Sequence, residues 1–157
     1  EGGLGDYVTM FEPTASEYVA SGKGYIVAAV GEESGEVPFT CFSANRSFLD
    51  KNPEKIEKFL KCIMKAYNYI MTADIEDVID SLLPSFNGST RDSLRYAIQS
   101  YKKIDAWMDT PKMKADAFDR LQTVMINAGE LQTANKVSFT DAVDNSFAEN
   151  VITKYFS

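Results

Sequence analysis

From Asn52 onward the apolar positions of the chain recur at helical spacing. Ile56, Phe59, Leu60, Ile63, Met64, Tyr67, Ile70 and Met71 follow one another at intervals of three and one, which places them on one face of an amphipathic helix of about five turns. Asn52-Pro53-Glu54 opens it with a cap, a proline in the first turn and an acid against the helix dipole. Lys51, Lys55, Lys58, Lys61 and Lys65 fall on the other side, a pattern that reads as a solvated face, with a partner face as the alternative. Asp74 caps a shorter helix with Ile75, Val78, Ile79, Leu82 and Leu83 inward, stopped at Pro84. Ser89 or Thr90 caps the next, which carries Leu94, Ala97, Ile98, Tyr101 and Ile104. Thr110-Pro111 should open a helix burying Ala117, Phe118, Leu121, Val124 and Met125, with Gly129 at its end. Thr140 should cap a last helix with Val143, Phe147, Val151, Ile152 and Tyr155 inward.

Before Asn52 the pattern changes. Tyr7 to Phe11, Tyr25 to Val30 and Val37 to Phe42 are short runs rich in β-formers, with Pro38 at the start of the third. Pro13 and Thr14 open a helix between the first two runs, and Gly22-Lys23-Gly24 closes it. Strand, helix and strand at this length read as a parallel crossover unit. The acidic stretch Gly31 to Glu36 reads as a solvated turn, and Ser43 to Leu49 as a short helix or turn. The expected fold class is therefore α/β and helix-rich, with about three strands beside five to seven helices. So small a sheet would expose its edges, and the opening Glu1-Gly2-Gly3 reads as a cut within a sheet unit. On this reading the chain is a piece of something larger and is expected to self-associate.

Composition narrows the function classes. The 157 residues carry a net charge of -7 with 45% hydrophobic and 25% charged residues, enough for a real core. No basic stripe suited to displacing counterions from phosphates is evident, so nucleic acid is an unexpected partner. No apolar run approaches the roughly 18 residues of a membrane span. Histidine is absent, which removes the commonest general base and metal ligand, and every Ser-His or Cys-His pair. Neither a cofactor nor a metal is expected.

Single residues add little chemistry. The pairs Asp6/Glu12 and Asp141/Asp144 are the available carboxylates for acid–base work, but nothing in the sequence brings either pair together. Gly2-Gly3-Leu4-Gly5 lacks the Lys-Ser/Thr of a phosphate loop. Trp107, the only tryptophan, suits packing between helices better than ligand stacking. Cys41 and Cys62 read as buried free thiols, with a disulfide as the alternative. The chemical interest lies at Phe11-Glu12-Pro13-Thr14, where a strand end meets a helix N-terminus, a common place for ligands in open α/β sheets.

The order of segments carries more than any one of them. Phe11-Glu12-Pro13, Gly22-Lys23-Gly24, Val37-Pro38-Phe39-Thr40, Phe48-Leu49-Asp50-Lys51-Asn52-Pro53-Glu54, Ile104-Asp105-Ala106-Trp107, Asn127-Ala128-Gly129-Glu130-Leu131 and Asp144-Asn145-Ser146 follow in sequence. Over residues 6 to 150 this resembles the C-terminal half of the solute-binding proteins of ABC importers, in the nitrate/sulfonate/taurine and thiamine-pyrimidine-precursor group. The resemblance implies part of a type II periplasmic-binding-protein-like fold. Residues 1–36 would end the second ligand-binding lobe, 37–43 would be the crossover hinge strand, and 44–157 would be helical structure of the first lobe.

It further implies a small-molecule ligand in an interlobe cleft, delivery to ABC permease subunits, and an extracytoplasmic location with a lipid anchor outside this stretch. Phe11, Glu12, Thr14, Thr40 and Phe42 are the expected ligand-binding residues, with no catalytic residue and no enzyme activity. An acid at Glu12 suits an aminopyrimidine or amine better than a sulfonate or nitrate. The alternatives are an enzyme resembling the thiamine-pyrimidine synthases, which depends on a histidine missing here, and a helical interaction domain built on the lysine-striped helix.

Overall fold

The computed structural model describes residues 5–156, so Glu1-Gly2-Gly3-Leu4, named above as a cut end and as a failed phosphate loop, lies outside the described residues, as does Ser157. Among the described residues the regular structure is helical, and there is no strand. The helices are α1 (Thr14–Ala20), α2 (Val30–Glu33), α3 (Arg46–Lys51), α4 (Pro53–Thr72), α5 (Ile75–Leu82), α6 (Arg91–Lys103), α7 (Ala115–Asn127), α8 (Phe139–Ala142) and α9 (Ser146–Tyr155).

The α/β expectation with about three strands is thereby overturned. The runs 7–11, 25–29 and 37–42 have no ladder partners, and Val30 opens the single turn α2 instead of ending a strand. Their large side chains lie in water: Tyr7 is 82% exposed, Tyr25 91% and Phe39 77%. The physical reason is that β propensity reports how well a side chain packs on a pleated surface beside neighbours. A run of β-formers without a neighbouring strand has nothing to pair with.

The chain divides into two compact units, one from residues up to Val30 together with Tyr69–Trp107, the other from Gly31–Asn68 together with Met108 onward. In the first unit, α5 and α6 bury Val78, Ile79, Leu94 and Ile98 against one another. Ile70, Ala73, Ile75, Leu82, Leu83 and Trp107 flank this cluster, and burial of each of its aliphatic side chains stabilises by roughly 1.5–3 kcal/mol. Trp107 stands edge-on to Tyr101 with ring centroids 5.5 Å apart, a packing role. Helix α1 packs against α6.

The caps that start these helices are those the sequence signals. Asp74 accepts the Glu76 N–H at 2.8 Å. Thr90 and Ser93 form a reciprocal capping box, Thr90 Oγ1 accepting from the Ser93 N–H at 3.1 Å and Ser93 Oγ from the Thr90 N–H at 3.0 Å.

In the second unit the buried residues are Met64, Ala117, Gln122, Ala148 and Val151. Two helix starts differ from expectation. Helix α7 begins at Ala115 and not near Pro111. Asn145 holds both backbone groups of Met113, donating to its C=O at 2.9 Å and accepting from its N–H at 3.1 Å, so this stretch is pinned outside the helix. The helix expected from Thr140 breaks into α8 and α9. Val143 is extended, and Asp144 accepts from both the Ser146 N–H (2.9 Å) and its hydroxyl (2.6 Å), which restarts the helix at Ser146.

The buried face of α7 is also rotated from the one the spacing suggests. Val124 and Met125 are 51% and 37% exposed, while Gln122 is buried. Both cysteines, expected to be buried, are exposed free thiols.

Candidate functional site

The five expected ligand-binding residues fall on both units. Phe11, Glu12 and Thr14 belong to the first, Thr40 and Phe42 to the second. In the first unit the three gather at the start of α1. The Phe11 carbonyl accepts the Ala15 N–H at 3.0 Å, and Glu12 Oε2 accepts the Ser16 N–H at 3.1 Å. Glu12 is thus a cap for α1, satisfying one of the N–H groups a helix start leaves without a partner. Its charge sits where the helix dipole favours an anion. Thr14 is the exposed first residue of α1, and the Phe11 side chain is 68% exposed.

In the second unit Phe42 meets Phe59 of α4 edge-to-face, with ring centroids 4.7 Å apart, and stays largely exposed. Thr40 is exposed as well. Each unit therefore offers an aromatic ring and a hydroxyl at its surface. Such groups can stack on a planar ligand and hydrogen-bond its polar edge.

The second unit also contains two shallow hollows. One, of about 320 Å³, lies between α7 and the segment Lys136–Phe139. Its wall is structural: Phe118 and Phe139 stand edge-to-face at 5.8 Å, and Lys136 is paired with Asp119. Gln122 donates to the Val137 C=O at 3.1 Å and accepts from the Val137 N–H at 2.8 Å. The other hollow, of about 350 Å³, is polar and includes Arg46, Asp141 and Asp144. The Ser146 hydroxyl, then its N–H, hold the Asp144 carboxyl below its ordinary range, and the Arg46 charge adds to this. Asp141 accepts from Ser138 Oγ at 2.6 Å, so the Asp141/Asp144 pair is engaged with local hydroxyls.

Sequence reading missed the charged network of the first unit. Glu76 of α5 takes Arg91 at 2.7 Å and Arg95 at 2.6 Å from α6, while Asp80 pairs with Arg91 and Asp92 with Arg95. The signal was present as acids at 76 and 80 and arginines at 91 and 95, each pair one helical turn apart. Hydrogen bonds from Arg91 and then Arg95 lower the Glu76 pKa. This network clamps α5 to α6. Among the described residues no group of three or more acids, cysteines or histidines is placed to hold a metal ion, and no helix is long and apolar enough to cross a membrane.

The chain is 37% identical over 149 residues to a Bacillus subtilis (strain 168) protein named "Putative binding protein YtlA". The match takes in 95% of this chain and 44% of that protein, so the chain spans less than half the length of the relative it matches. No family model matches the chain, and no solved structure matches it.

Proposed function

We propose that this chain is part of the extracytoplasmic solute-binding component of an ABC importer, and that it binds a small organic molecule and carries out no chemistry. The observation that carries this reading is the similarity, along nearly the whole chain, to a protein named for binding. The ordered motifs from Phe11-Glu12-Pro13 to Asp144-Asn145-Ser146 support the importer class by resemblance. Phe11 and Phe42 would stack on a ring, and Thr14 and Thr40 would hydrogen-bond its substituents. Glu12 would contribute negative charge, favouring an aminopyrimidine-like or amine ligand over a sulfonate or nitrate. The permease would be the partner of the closed form, and a lipid anchor would lie outside these residues.

The test is a thermal-shift screen of the protein as its gene encodes it, against amines, aminopyrimidines, sulfonates and nitrate. One class should raise the melting temperature in a saturable way, and Phe42→Ala should weaken that response at least tenfold in ligand concentration. A protein indifferent to all four classes would overturn the reading. The relative is more than twice the matched length, so the 157-residue chain alone would supply only part of the ligand surface. It should bind no more tightly than about 1 mM, where only about -4 kcal/mol is available.

A further inference from the structure

We propose that the lysine face of α4, together with Lys154 and Tyr155 of α9, is a docking surface for an anionic phospholipid bilayer. Lys55, Lys58, Lys61 and Lys65 lie within an arc of about 120° on α4 at 3.6 residues per turn, along about 15 Å of its axis. Lys51, in the last turn of α3, precedes them and is exposed. The patch continues onto α9. The Lys61 ammonium sits 3.5 Å from the centroid of the Tyr155 ring, and Lys154 stands 5.3 Å from the same ring while reaching Glu57 at 3.6 Å. Tyr155 is 40% exposed. All of these residues belong to the second unit.

Two observations favour a lipid surface. First, the lysines of this face differ from Arg91, Arg95, Lys112, Lys114 and Lys136, which are each in an ion pair. On the proposed surface, Lys58 has a loose contact with Glu54 at 3.9 Å, with both side chains more than three-quarters exposed, and Lys154 reaches Glu57 at 3.6 Å. Four lysines thus share one face of α4 in a chain whose net charge is -7. Second, the face is built of lysine. The arginines 91 and 95 make forked contacts to carboxylates, the geometry that recognises a specific acidic group, whereas compact lysine charges suit diffuse headgroup attraction. A row of cations beside the half-exposed Tyr155 ring fits a flat interface, where such a ring sits at headgroup depth.

The experiment is vesicle co-sedimentation of the chain, using phosphatidylcholine alone and phosphatidylcholine with about 30% phosphatidylglycerol, at roughly 50 and 300 mM salt. The protein should sediment with the anionic vesicles only, and high salt should release it. Two double variants with equal change in net charge locate the surface. Lys55→Gln/Lys65→Gln should lower the partition coefficient about 25-fold, at roughly fivefold per lysine. Lys102→Gln/Lys103→Gln, on α6 of the first unit, should lower it less than about threefold, since these lysines are not part of the proposed surface. Equal losses in the two doubles, equal binding to both vesicle types, or no binding at low salt would each overturn the proposal. Lysine-dependent capture of a second copy without vesicles would assign the face to an acidic protein surface instead and overturn it too. The result does not depend on which ligand, if any, the protein binds.

Discussion

Gln122 and Asn145 do in this chain what a neighbouring strand would do elsewhere. Each amide holds both the N–H and the C=O of one backbone position, Val137 and Met113 respectively. Gln122→Ala removes both partners of Val137 at once and should destabilise by about 1–3 kcal/mol, read as a shifted urea midpoint with unchanged slope. Gln122 was illegible from its place on α7, because spacing identifies apolar faces and says nothing of an amide buried among them. Glu12 was legible as a position and open as a role, since a ligand acid and a helix cap have the same sequence signature. Its carboxylate contacts the Ser16 N–H, which a glutamine oxygen can still accept. Glu12→Gln should therefore lower the melting temperature only slightly. An accompanying ten- to hundredfold loss of ligand affinity would show that the charge also serves binding, whereas unchanged affinity would remove Glu12 from the site and with it the preference for an amine.

At the scale of elements, helices with a cap and a clean period were legible to within a few residues, as at Asp74 and Thr90. Asp74→Ala and Thr90→Ala should each cost about 1 kcal/mol of unit stability, measured by chemical denaturation. The clamp between α5 and α6 adds a pH signature. Glu76 has a folded-state pKa below its ordinary value, so its stabilising contribution is fully present above the ordinary carboxylate pKa. It is lost as pH falls through the depressed folded value. Melting temperature should thus drop in the acid range, and Glu76→Gln should flatten that drop. Added salt should weaken the effect, because the Glu76 side chain is 42% exposed. The expected strands failed for a different reason than the shifted helix starts. A helix satisfies its backbone from its own sequence, whereas Tyr7–Phe11 or Val37–Phe42 can be a strand only beside another strand. The helix starts moved because side-chain contacts distant in sequence, such as Asn145 to Met113, are invisible to a local pattern.

At the scale of the molecule, the exposed apolar runs decide solution behaviour. Tyr25, Val27, Phe39 and Phe42 are each more than 70% exposed, an unusual surface for a soluble monomer. Light scattering across a concentration series should show self-association, and Val27→Lys with Phe39→Lys should suppress it. A native chain that stays monodisperse at high concentration would count against this. The central claim is that the protein binds a small molecule without transforming it. The measurement that tests it most directly is a calorimetric titration of the gene-encoded protein with the ligand class found by screening, followed by mass analysis of the released ligand. The account predicts saturable binding at one ligand per chain, an affinity of about 1 μM or tighter, corresponding to roughly -8 kcal/mol, and recovery of the ligand unchanged. Ligand recovered as a different compound, or heats that never saturate, would contradict it.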